Sequence, residues 1–199
     1  MCLQVEDVQN LGALLRSALF LGADGVLLSA HNTAPVSPAC AKASAGASEA
    51  WLASGRLLSA GRFADTLAET AQAGWSVLGA ASAGPAKQGA GMTNNAVNDG
   101  QGRALDSSEL AVPTILVLGN EGSGLSDETR RACTGFVGVA DRQSEWAWGA
   151  CEAHGAFGEF YVDSLNVSAA GAVLLNECAR RKHAAHHTGS VSDDQQHAR

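Results

Sequence analysis

The chain has 199 residues, 46% hydrophobic and 5% aromatic, with a formal net charge of −7. Such a length and composition suit one domain whose core is built from small and aliphatic side chains, and they exclude a disordered chain. The acidic balance excludes a protein that grips nucleic acid by bulk electrostatics, and no run nears the roughly 18 apolar residues of a membrane span.

Residues 1–10 hold neither a basic region nor an apolar signal core, so no secretory or transit peptide is expected there. The five cysteines, Cys2, Cys40, Cys133, Cys151 and Cys178, are scattered and lack C-x-x-C spacing. They fit a reducing compartment better than a disulfide framework. Leu11 to Leu21 predicts an amphipathic helix, with Leu11, Leu14, Leu15 and Ala18 at helical spacing, Asn10 as N-cap and Gly22 as stop. Gly25 to Ser29 predicts a short buried strand. Thr33 to Ser48, which contains Pro35 and Pro38, reads as a loop. Helices are expected over Glu49 to Leu58 and Arg62 to Ala73, and a strand over Trp75 to Gly79.

Ala81 to Glu109 is rich in Gly, Ala, Asn and Ser without hydrophobic periodicity, and reads as a surface insertion. Pro113 to Gly119 is the clearest buried strand, Gly135 to Ala140 a further one, and Asp141 to Glu159 a second insertion. Val167 to Arg181 predicts a helix with Ala170, Val173, Leu174 and Cys178 on its apolar side. The polar stretch from His183 to Arg199 is expected to be a disordered tail. Strands that are nearly all apolar and alternate with helices predict an α/β fold: a mainly parallel sheet with helices on both faces, in one domain over 1–182.

Three segments carry chemistry. Asp7 to Arg16 places a polar residue, Asn10, and a guanidinium, Arg16, on an otherwise apolar helix. Arg16 is either an exposed surface arginine or a group that binds phosphate or polarises a hydroxyl through its planar fork. Gly119 to Ser126 (G-N-E-G-S-G-L-S) follows the clearest strand, at the end where open α/β sheets bind ligands. It nearly spells a P-loop, but Leu125 stands where the lysine must be and Glu121 puts an anion into the cradle. A nucleoside triphosphate is disfavoured and a ligand without phosphates suits it better, a structural turn being the alternative. Asp163 to Leu175 offers Ser164, Asn166 and Ser168 as helix-capping residues ahead of a run of small residues. Cys151 and His154 lie close in sequence, yet two further ligands are not identified, so zinc is not expected.

In this order the segments resemble the signatures of the SpoU/TrmH family of RNA ribose 2′-O-methyltransferases, in the SPOUT superfamily: D-x-x-N-L-G-A-L-L-R, L-V-L-G-N-E-G-S-G-L-S and S-L-N-V-S-A-A. The match spans roughly Val5 to Arg181. Lys42 to Glu49 (K-A-S-A-G-A-S-E), followed by Gly74 to Gly79, is similar to the branch that modifies ribosomal RNA in mitochondria and other organelles, plastids included. The resemblance implies an α/β domain whose C-terminal part is threaded into a trefoil knot, which ordinary connection rules do not reveal. It implies S-adenosylmethionine as cofactor, held largely by backbone at Gly119, Val139 and Leu165, with Leu118, Asn120 and Asn166 beside it. Arg16 matches the catalytic arginine, and Asn10, Glu121, Ser164 and Asn166 match polar residues that position substrate and donor.

The resemblance further implies a homodimer with sites built from both subunits, an RNA substrate, no metal, and no membrane. A guanosine in large-subunit ribosomal RNA is the expected target. A transfer RNA 2′-O-methyltransferase and a non-catalytic RNA-binding or ribosome-assembly factor are the alternatives, and a nucleotide-binding protein a third. The branch places such proteins in the mitochondrion or plastid, behind an upstream RNA-docking domain and targeting segment. This chain starts at the first signature, so we expect both to be missing here and the basic contacts to RNA to come from elsewhere. The spacer from Val139 to Leu165 is longer than usual, and the expected Ile-Pro step reads Val139-Ala140.

Overall fold

Short apolar runs with side chains buried alternately on two faces build one parallel sheet. The structure is a computed structural model that describes residues 1–81, 112–120, 122–139 and 164–189. Its strands are β1 (Cys2–Leu3), β2 (Val26–Ser29), β3 (Leu57–Ala60), β4 (Ser76–Ala80), β5 (Thr114–Leu118) and β6 (Gly135–Val137). They lie in the order β3-β2-β1-β5-β4-β6 with every pairing parallel. Helices are α1 (Val8–Phe20), α2 (Pro38–Ser44), α3 (Ala47–Ala53), α4 (Phe63–Gln72), α5 (Asp127–Ala132) and α6 (Val167–Gly189).

Alternation along each strand divides the core in two. Leu3, Leu28, Leu78 and Leu118 point to one face, where Leu11, Leu14 and Leu15 of α1, Trp51 of α3 and Leu174 of α6 cover them. Cys2, Val77 and Val117 point to the other, under Phe63 and Leu67 of α4 and Ala132 of α5. The sheet thus carries helices on both faces, as the alternating pattern predicts.

Several local expectations need correction. Asp7, not Asn10, caps α1: its carboxylate accepts from the backbone N–H of Gln9 and of Asn10, both at 2.9 Å. Asn10 therefore lies inside the helix's opening turn. Residues 33–48 are not one loop, because Pro38 sits at the start of α2 behind Ser37 as cap, a position that suits proline. The helix expected over Glu49 to Leu58 ends at Ala53, and Leu57 begins β3, an edge strand. The helix from Val167 runs on to Gly189, past the tail boundary expected at His183; Ala184 and Ala185 favour its continuation. The insertion expected at 81–109, save Ala81, that expected at 141–159, Cys151, His154 and the tail from 190 lie outside the described residues.

Helix α6 sits unusually close to its neighbours. A Cβ on buried Gly171 would lie 2.5 Å from Leu14 Cδ2 and 2.8 Å from Leu118 Cδ1. Its far end is near the amino ends of the strands, where Lys182 pairs with Asp24 at 3.7 Å. The helix therefore runs down the sheet against strand direction, with its N-terminus above the carboxyl end of β5. Gly171→Val should push α6 outward and destabilise the protein by roughly 1–3 kcal/mol, the usual scale of overpacking. Urea denaturation monitored by circular dichroism measures this, and an unchanged midpoint would show that the approach is not tight.

Candidate functional site

Strand order locates the site. From β1 the chain passes through α1 to β2 on one side, and from β5 through α5 to β6 on the other. Helices α1 and α5 cover opposite faces, so the connections diverge at the carboxyl ends of β1 and β5, which are neighbours. Such a switch point leaves a crevice in which open α/β sheets bind ligands. The segments after β1 and β5, and the start of α6, converge there.

The loop after β5 closes on itself. The Asn120 N–H donates to the Gly124 carbonyl at 3.0 Å, and the Gly124 N–H donates back to the Asn120 carbonyl at 2.8 Å. The Asn120 side-chain oxygen accepts from Gly122 N–H at 2.8 Å and Ser123 N–H at 3.3 Å. Four amides are thereby consumed inside the loop, whereas a phosphate cradle presents its amides to the ligand. Gly119 is required for this fold-back, since a Cβ there would lie 2.4 Å from the Gly124 carbonyl oxygen. Leu125, at the position a P-loop lysine would take, is buried with Phe136 in the second core. The geometry agrees with a ligand that brings no phosphate chain.

Opposite the loop, Asn166 caps α6. Its side-chain oxygen accepts from the Ser168 N–H at 2.8 Å and the Ser168 hydroxyl at 2.6 Å, so of the three capping candidates Asn166 takes the role. Ser164 and Leu165 are exposed just before it, Leu165 at 50% of its surface. Leu118 is fully buried and touches the Gly171 contact, Gly119 is buried, and Asn120 is half-buried. Val139 is half-buried against the core under α1 and α6. Glu121 lies outside the described residues.

Asn10 and Arg16 are not brought together. Six helical residues separate them by about 9 Å along the axis and about 120° around it. Asn10 is half-buried at the rim, whereas Arg16 is exposed partway down the helix. Among the described residues Arg16 has no ion-pair or hydrogen-bond partner. Its guanidinium is available to an anion that arrives from outside the chain.

Thiol chemistry is disfavoured at the four described cysteines. Burial pushes the Cys2 and Cys133 thiols up to about 11, and it raises Cys40 and Cys178 as well. None of these four is a thiolate near neutral pH, the form a cysteine nucleophile requires. Among the described residues no group of three or more His, Cys, Asp or Glu could hold a metal ion, and no helix is long and apolar enough to cross a membrane. One residue at the carboxyl end of β1 gives no signal in the sequence: the side-chain oxygen of Gln4 is buried without a hydrogen-bond partner among the described residues.

Comparison with known proteins finds similarity in sequence and in fold. The family model described as the SpoU rRNA Methylase family matches residues 1–144. Human mitochondrial rRNA methyltransferase 1 is 34% identical, over 89% of this chain and 44% of its own length. A TrmH-family protein from Porphyromonas gingivalis has a similar structure, with TM-score 0.61 and 30% identity, over 90% of this chain and 58% of that one. The SpoU methyltransferase AviRb from Streptomyces viridochromogenes, solved in complex with AdoMet, shares the fold with TM-score 0.62 and 20% identity, over 92% of this chain and 59% of that one. The chain thus spans about half the length of these relatives.

The closed loop generates a direct test. Asn120→Ala removes the acceptor for two loop amides and should lower stability by ~1 kcal/mol, the net worth of such bonds. Magnesium ATP should leave the melting temperature of the unaltered protein unchanged, and a clear upward shift would restore the phosphate-cradle reading.

Proposed function

Because the chain belongs to the SpoU rRNA Methylase family, we propose that it is the catalytic part of an RNA methyltransferase that uses S-adenosylmethionine to methylate a ribose 2′-hydroxyl. The observation that carries this reading is the close approach of α6, at Gly171, to Leu118, the residue before the Gly119 loop, which brings the Asn166-capped start of the helix to the same end of the sheet. The loop spends its amides internally and lacks a lysine, which suits a nucleoside cofactor without phosphates. Gly119, Val139 and Leu165 would contact the cofactor through backbone, with Leu118, Asn120 and Asn166 beside it.

When bound, the cofactor supplies an electrophilic methyl group. The chain's own task is then chiefly alignment of a hydroxyl with that methyl. Asn10, Glu121, Ser164 and Asn166 are the polar groups proposed to orient ribose and donor. Arg16 binds an RNA phosphate beside the reacting hydroxyl and assists loss of its proton, work suited to a bidentate, permanently charged fork. The raised thiols of the described cysteines weigh against covalent attack on a base and favour hydroxyl methylation.

The separation of Asn10 from Arg16 supports a homodimer in which Arg16 of one copy serves the crevice of the other. We further propose that the C-terminal part of the domain is threaded into a trefoil knot. A guanosine in large-subunit ribosomal RNA is the proposed target, and a mitochondrion or plastid the proposed location; the mitochondrial rRNA methyltransferase relative supports both ribosomal substrate and organelle. At a net charge of −7, phosphate contacts beyond Arg16 are assigned to a basic partner or region.

Arg16→Ala should abolish methyl transfer while leaving S-adenosylhomocysteine affinity within about twofold, because uniform ligand binding does not depend on it. Retained turnover in that variant would remove Arg16 from the mechanism. Arg16→Ala and Asn166→Ala chains, each inactive alone, should regain activity when co-expressed as mixed dimers. No recovery would argue that each site is complete within one chain.

A further inference from the structure

The unpaired oxygen of Gln4 has a defined setting. Its backbone N–H donates to the Leu118 carbonyl at 2.9 Å, which carries the β1–β5 register one residue past Leu3↔Leu118 and sets Gln4 beside Gly119. On the other flank the β1–β2 register sets it beside Ser29. By alternation with Cys2 the Gln4 side chain is on the α4 and α5 face, at the carboxyl end of β1.

Neither flank can satisfy the carboxamide. The Ser29 hydroxyl is committed to His31, donating to its carbonyl at 2.6 Å and accepting from its N–H at 3.3 Å. Gly119 has no side chain, and the space a Cβ would take is filled by Gly124 and Leu125 backbone. Gln4 Oε1 is the sole buried side-chain N or O atom without a partner among the described residues. Buried polar groups are almost always paired, so this exception calls for a role, such as a bond that a ligand completes. Apolar replacement would remove the penalty of the orphan, so its presence is a loss to the scaffold.

We infer that the Gln4 carboxamide is a specificity-determining contact that reads the polar edge of a purine bound at the carboxyl ends of β1 and β5. A carboxamide matches such an edge because it offers an acceptor and a donor side by side, the pairing that Gln makes with an adenine amino group and ring nitrogen. The inference rests on the methyltransferase reading. That reading offers two sources of a purine: the adenine of the cofactor and the target base of the RNA.

Gln4→Met and Gln4→Leu, apolar side chains of similar size, distinguish the possibilities. Both should melt at the same temperature as the unaltered protein or a few degrees higher, since they abolish a buried orphan. If the cofactor is the source, S-adenosylhomocysteine should bind about tenfold more weakly by calorimetry, the scale of one lost hydrogen bond. If the target base is the source, that affinity stays the same and KM for a large-subunit ribosomal RNA transcript rises about tenfold. Unchanged affinity and unchanged KM would overturn the inference. So would weakened binding with a lower melting temperature in both variants, which would make Gln4 a scaffold residue. Failure of the unaltered protein to bind S-adenosylhomocysteine would instead overturn the methyltransferase reading, and this inference with it.

Discussion

The arrangement depends on one close approach, that of α6 to α1 and β5 at Gly171. Without a Cβ at that point, the Leu14 and Leu118 side chains fill the space against the helix backbone. The helix can then lie flat on the sheet and carry its capped N-terminus to the rim, beside the loop that follows Leu118. Any larger residue would lift the helix and separate the Asn166 cap from the Asn120 turn. Interiors are packed closely enough that such a displacement cannot be absorbed locally. A single small residue in the core therefore sets the spacing between two polar segments that never touch it.

Among the described residues, the crevice is framed by backbone that polar side chains hold in place. The Asn120 turn and the Asn166 cap each use a side-chain amide to hold neighbouring N–H groups. Arg16 stands outside the rim, and Glu177 is held by Arg180 and Arg181 farther down α6, which keeps its carboxyl at about 2. This division suits chemistry in which the electrophile arrives on a cofactor and the protein contributes position. It also leaves Arg16 remote from the crevice within one chain.

Much of this was legible in the sequence, for identifiable reasons. β5, α1 and α6 have apolar residues at strong, uninterrupted periodicity, and the loop after β5 announces itself by three glycines in six residues. α2 was obscured because Pro38 is a loop marker and a favourable opening residue of a helix alike. β3 has little signature because it is an edge strand with Leu58 largely exposed, and α5 has little because only one turn and a half forms. Asp7 and Asn10 are both good caps three residues apart, and the backbone path out of β1 decides for Asp7. Gln4 could not have been found this way at all. Its isolation follows from register with two strands distant in sequence, and from where Ser29 spends its hydroxyl.

The self-closed Asn120 turn has a thermodynamic consequence. Ordering a flexible loop around a ligand would subtract roughly 1–2 kcal/mol of backbone entropy per residue from the affinity. Here the turn is already held by four hydrogen bonds before any ligand arrives. The heat-capacity change on binding should therefore reflect little more than apolar surface covered in the crevice, without the large folding component of a loop that orders on contact.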